Sequence, residues 1–108
     1  MEPLADITVT APDADWLVDL THQLVEQRLV ACGNVIPGVR STYRWAGQIE
    51  QADEAVVLLH TRVALVPQVI AAVEAQHPYT TPQVVALPVL AANPAYHQWV
   101  LDSTAAIG

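Results

Sequence analysis

Lysine and phenylalanine are absent from this 108-residue chain, and cysteine occurs once. Without lysine, positive charge rests on Arg28, Arg40, Arg44 and Arg62 alone, against 11 acidic residues, for a formal net charge of −7. Such a surface repels a phosphate backbone, so no nucleic-acid partner is expected, and it repels an anionic membrane surface likewise. It is compatible with attracting cations. Without phenylalanine, Trp16, Trp45, Trp99, Tyr43, Tyr79 and Tyr96 supply all the aromatic bulk. Cys32 stands alone, which excludes an intrachain disulfide and fits a reducing compartment. The first residues, Met1 to Asp6, include Glu2 and Asp6 and lack a basic start followed by an apolar stretch, so they do not read as a secretory signal. No run approaches about 18 apolar residues, so no membrane partner is expected and the cytoplasm is the expected location. The glycines Gly33, Gly38, Gly47 and Gly108 are isolated, which excludes a glycine-rich phosphate loop.

What is present is apolar. The composition is 53% hydrophobic, high for a chain whose length suits a single domain over residues 1–108 with one core. A surplus of this kind implies that some apolar side chains end at a subunit contact. Ile7 to Thr10 alternate and read as a first strand. Asp13 caps a helix whose apolar positions, Leu17, Leu20, Leu24 and Val25, recur at helical spacing to about Val30. A second strand is expected from Cys32 to Trp45, with a bulge or bend at Pro37-Gly38. Ala46-Gly47-Gln48 reads as a hairpin turn into a third strand ending near Thr61. A second helix is expected over Leu65–Gln76, tolerating Pro67 in its first turn. A fourth strand is expected over Gln83–Val89, and a short last helix opens at Asn93-Pro94 with Tyr96, Trp99 and Val100 on its inner face.

The order is strand, helix, strand, strand, helix, strand, helix. It predicts an α+β fold, a ferredoxin-like split βαβ sandwich (βαββαβ) with a short C-terminal helix. Right-handed crossovers put both main helices on one face of the sheet. The other face should meet water, yet Val56 and Leu58 alternate with Val57 and Leu59, and Val85 and Leu87 with Val84 and Ala86. Both faces are apolar, and a second copy of the same sheet is the simplest cover. The pattern implies an oligomer without fixing the number of subunits.

From about Ile7 to Ser103 the sequence resembles the CutA family of divalent-cation-tolerance proteins. The resemblance is carried by Thr10-Ala11-Pro12-Asp13, by the stretch from Leu24 to Cys32, by Asn34 to Val39, by Ser41 to Trp45 and Gly47 to Glu50, by His77-Pro78-Tyr79, and by Pro82 to Pro88. It implies a homotrimer with sheets packed at its centre, an architecture like that of the PII signalling proteins, whose ligand sites lie between subunits. It also implies a role in cation tolerance, and no enzymatic activity.

Cys32 and His77 are the candidate metal ligands, since a thiolate and an imidazole suit copper or zinc. The family resemblance implies Cu²⁺ or Zn²⁺ at such positions, and no organic cofactor. Two ligands do not close a site, and further ligands are missing where relatives have them. Val9 stands where several carry a second cysteine, Gln76 where many carry a second histidine, and Gln83 where an acidic residue is common. Cys32 also reads as a small buried residue at a helix-to-strand junction, and His77 as a side chain closing a helix end. Trp45, His60, Arg62 and Tyr79 form a second group, read as lining a cleft between subunits for a small anionic or planar ligand. The same aromatics also read as packing anchors. His22 and His97 read as solvated. Three functions compete: metal tolerance, a small-molecule sensor of the PII kind, and a structural or anchoring trimer.

Overall fold

The computed structural model describes residues 1–106. Four strands form one antiparallel sheet: β1 (Leu4–Ala11), β2 (Cys32–Trp45), β3 (Gln48–Arg62) and β4 (Val84–Pro88), in the order β2-β3-β1-β4. Three helices accompany it: α1 (Ala14–Glu26), α2 (Val66–Gln76), entered through a short 3₁₀ turn, and α3 (Pro94–Ser103). This is the expected α+β, ferredoxin-like arrangement. The last two residues of the expected domain lie outside the described ones.

Local chemistry sets the element ends. The Asp13 side chain accepts from the Asp15 amide at 2.8 Å and caps α1. The helix stops at Glu26, short of the expected Val30, because Arg28 adopts φ 61° and turns the chain back. The amides of Leu29 and Val30 then bond to the Leu24 carbonyl, satisfying the helix end as a glycine usually would. Between Ile36↔Val56 and Val39↔Glu54 the β2–β3 register shifts, with Pro37 and Gly38 (φ 76°) forming the expected bulge. The hairpin closes in two residues, Ala46 and Gly47, both at positive φ, which is the turn geometry that matches strand twist. β4 is shorter than expected at both ends. Asn93 precedes α3 as the cap residue, but only its carbonyl serves the helix, accepting from the His97 amide.

Register parity separates the two sheet faces. Ile7, Val9 and Ala11 share a face with Ala55, Val57 and Leu59, and α1 and α2 cover it with Leu17, Leu20, Leu24, Val69 and Val73, all buried. The opposite, open face carries Asp6, Thr8 and Thr10 beside His60, Leu58 and Val56, flanked by Val85 and Leu87. α3 lands on one end of this open face, where Leu4 and Val100 are buried together and Val89 and Tyr96 pack on them. Trp99 was expected inside but stays 45% exposed, its ring beside that of Tyr96 with centroids 5.7 Å apart. Beyond α3 the face remains bare: Ile36 is 46% exposed, Val85 45% and Leu87 52%.

Candidate functional site

Polar and aromatic side chains gather at the two ends of the open face. At the α3 end, antiparallel pairing puts Asp6, His60 and Cys32 in one row across three strands. His60 Nδ1 lies 2.7 Å from Asp6 Oδ1, and Nε2 lies 2.7 Å from Asn34 Oδ1. The Cys32 sulfur lies 3.4 Å from the Tyr96 hydroxyl. Burial, then the Cys32 contact, pushes the Tyr96 phenol well above its ordinary range. Arg62 forks over the end of α3: Nε donates to Thr104 Oγ1 at 2.8 Å, and the two terminal nitrogens donate to the Leu101 carbonyl and to the Glu2 carboxylate. A guanidinium at helix carbonyls is a favourable terminus. His97, half-buried rather than solvated, donates from Nε2 to the Glu2 carbonyl at 2.7 Å. His22 is solvated, as expected.

The other end holds a cavity of about 640 Å³ between the bulged hairpin and the segment after α2. Trp45, Tyr43, Glu54 and Tyr79 line it, with hydroxyl side chains including Thr42 and Thr81. The Tyr79 hydroxyl donates to Glu54 Oε2 at 2.8 Å. Although the Tyr79 ring is 38% exposed, its hydroxyl is tucked against Glu54, which is only 9% exposed. This burial, reinforced by the hydrogen bond to Glu54 and by its negative charge, pushes the Tyr79 phenol up to about 12.

Within one chain the four residues expected at a cleft between subunits fall in two places. The structure brings Trp45 and Tyr79 together and places His60 and Arg62 at the opposite end, engaged with other partners. His77 stands behind the cavity. Its Nε2 donates to the Thr10 carbonyl at 2.8 Å, its Nδ1 accepts the Tyr79 amide at 3.0 Å, and Trp16 packs edge-on at 5.0 Å. Both ring nitrogens are used, which leaves no lone pair facing outward. Cys32 lies in the row of Asp6, whereas His77 reaches Thr10, four residues along β1. At the strand rise that separates them by roughly 13 Å along the strand. They do not form one centre within a subunit. Among the described residues no three His, Cys, Asp or Glu side chains converge on a metal-sized position. The donor set of a single chain does not fit a closed copper or zinc centre.

Glu54 was not singled out from the sequence, where it reads as one more acid beside Glu50 and Asp53. Its phase with Val56 and Leu58, on the apolar face of β3, was the available signal.

A model of the "CutA1 divalent ion tolerance protein" family matches residues 6–103. The divalent-cation tolerance protein CutA of Thermus thermophilus is 37% identical over 98 residues, covering 91% of this chain and 95% of that protein. A chloroplastic CutA protein of Arabidopsis thaliana is 32% identical over 102 residues, covering 94% of this chain but 56% of that longer protein. The crystal structure of CutA1 from Oryza sativa superposes with a TM-score of 0.93 at 32% identity, covering 96% of this chain and 95% of that one.

Proposed function

The chain belongs to the CutA1 divalent ion tolerance protein family, and from that premise we propose that it acts in cation tolerance as a non-enzymatic homotrimer in the cytoplasm. One observation carries the assembly: the strip of Ile36, Val85 and Leu87 beyond α3, each about half exposed on a face whose other end is covered. Burying the exposed half of such a side chain against copies of itself gains roughly 1 kcal/mol. The lone Cys32 supports a reducing compartment, and among the described residues no helix is long and apolar enough to cross a membrane. The whole chain, residues 1–108, is read as one domain. Cys32 enters this reading as a weak contact for a soft ion such as Cu²⁺ or Zn²⁺, completed by donors from outside the chain, and His77 joins as a separate contact only by releasing the Tyr79 amide from Nδ1.

Light scattering across a dilution series, with calorimetric titration of Cu²⁺ and Zn²⁺, tests both parts. A folded monomer at low concentration sinks the assembly. Heat of binding that does not saturate, or that is unchanged in Cys32→Ser and His77→Ala, sinks direct metal contact.

A second reading, a small-molecule cleft between subunits, is favoured by the cavity itself, where Trp45 and Tyr79 meet within about 640 Å³. Such a volume suits an organic ligand. Within one chain His60 and Arg62 do not join them there, so the cavity of a single chain offers no positive charge of its own to the small anionic or planar ligand expected from the sequence. Extra density in that cavity in a crystal of the assembled protein tests this reading.

A further inference from the structure

We propose that the cavity beside Glu54 binds a small organic cation, an ammonium group on a short body. The inference rests on the cleft reading above and specifies its ligand.

Three independent features of the cavity converge on positive charge. The first is the carboxylate. Glu54 is nine-tenths buried, and its one side-chain hydrogen bond among the described residues comes from the neutral Tyr79 hydroxyl. The arginines and histidines with acidic partners are committed elsewhere: His22 to Glu26, Arg40 to Asp53, His60 to Asp6 and Arg62 to Glu2. A buried carboxylate held by one neutral donor is poorly compensated for its lost water. A cation arriving in the cavity supplies the missing partner.

The second feature is the aromatic wall. Tyr43, Trp45 and Tyr79 line the same space as Glu54. Trp45 is 55% exposed and stacks on no other ring among the described residues. An indole face next to a carboxylate attracts an alkylammonium group through its quadrupole, and attracts an anion not at all.

The third feature is what the remaining lining lacks. Hydroxyls such as those of Thr42 and Thr81 contribute polarity without charge, and no arginine or histidine borders the cavity. One carboxylate is too few for a calcium- or magnesium-type site, which draws on several oxygens in a tight shell. The volume exceeds what a bare ion needs. A net charge of −7 attracts cations to the molecule as a whole.

One alternative source of charge lies within the sequence. Arg44, exposed on the hairpin, makes no ion pair among the described residues. In an assembly, the Arg44 of a neighbouring copy is the competing occupant.

The test uses choline chloride and its uncharged carbon isostere, 3,3-dimethyl-1-butanol. Each is titrated into the full chain in its native assembly and followed by calorimetry and tryptophan fluorescence. Choline is expected to bind at least about tenfold more tightly than the isostere. Glu54→Gln should weaken choline by about tenfold or more and leave the isostere unchanged, and Trp45→Leu should weaken choline as well. Circular dichroism and light scattering of each variant confirm fold and assembly.

Equal affinity for the two probes sinks the cation assignment while keeping the cavity as a cleft, and binding of neither sinks both. Choline binding that emerges only in Arg44→Gln gives the carboxylate to the neighbouring copy and overturns the proposal. Displacement of choline by an equal concentration of magnesium chloride overturns it in favour of a metal. Failure of the copper and zinc titrations leaves these outcomes untouched.

Discussion

The two ends of the open sheet face are built from similar residues and arrive at opposite states. At the α3 end the main charged and polar groups have partners: His60 between Asp6 and Asn34, Arg62 across Glu2, Thr104 and Leu101, and Cys32 against Tyr96. At the hairpin end, Glu54 has the Tyr79 hydroxyl alone and Trp45 faces open space. The difference teaches where to look for function. A network with several partners for each group fixes structure, whereas a carboxylate with one neutral donor beside a cavity has acceptor capacity left for a ligand.

The contrast predicts that equal disturbances at the two ends have unequal effects. The largest belongs to Arg62, whose side chain is 17% exposed. Arg62→Ala should cost about 2–3 kcal/mol in urea unfolding, by leaving the carboxyl end of α3 without its donors. Because α3 also covers Cys32, labelling of that thiol by a disulfide reagent should accelerate in the same variant. Unchanged labelling means that α3 does not depend on the clamp.

A smaller loss is expected from His60→Ala, about 1–2 kcal/mol, since two hydrogen bonds go and Asp6 and Asn34 are left without their partner. A cost near zero would place the His60 network outside the stabilising set.

Smaller again is a pH effect at the other end. The Tyr79 phenol is raised from 10.0 to about 12, so the folded state holds its proton more firmly than the unfolded chain does. Its contribution is complete below pH 10.0 and is lost as pH rises from there toward 12. Stability measured across this window should fall in the wild type with a component that Tyr79→Phe removes. Identical slopes for the two proteins refute the assignment.

The smallest change is predicted for Glu54→Gln, which should alter stability by less than about 0.5 kcal/mol or raise it, because no arginine or histidine of the chain relies on that carboxylate. A loss above about 2 kcal/mol would show a charged partner at Glu54 and erase the distinction between the ends.

Much of the fold was legible because its determinants are local. The helix cap at Asp13, the bulge at Pro37-Gly38 and the alternation of Ile7 to Thr10 along β1 each state their structure within a few residues. The end of α1 was not legible, since Arg28 takes a conformation that its side chain gives no sign of favouring. The site was read less well for a physical reason. Trp45 and Tyr79 meet within one chain, through the hairpin and the turn after α2. His60 and Arg62 share their strand face with Glu54, but α3 folds over their end and supplies partners. That landing place is a tertiary event which no local period encodes. Cys32 and His77 likewise both follow a main helix, and only the register of β1 against its neighbours shows how far apart they fall.

The bulge at Pro37-Gly38 has a consequence for how the molecule can be altered. Past it, β2 and β3 pair without interruption from Val39↔Glu54 to Trp45↔Gln48. This arm behaves like a graduated ruler whose tip carries an indole. Removing one opposed pair of residues turns every side chain beyond the cut to the other side. Removing two pairs restores the facing and draws Trp45 inward by about 7 Å. Hairpins shortened by two and by four residues in total should therefore differ in kind: the first rotates the tryptophan away, and the second only changes its reach.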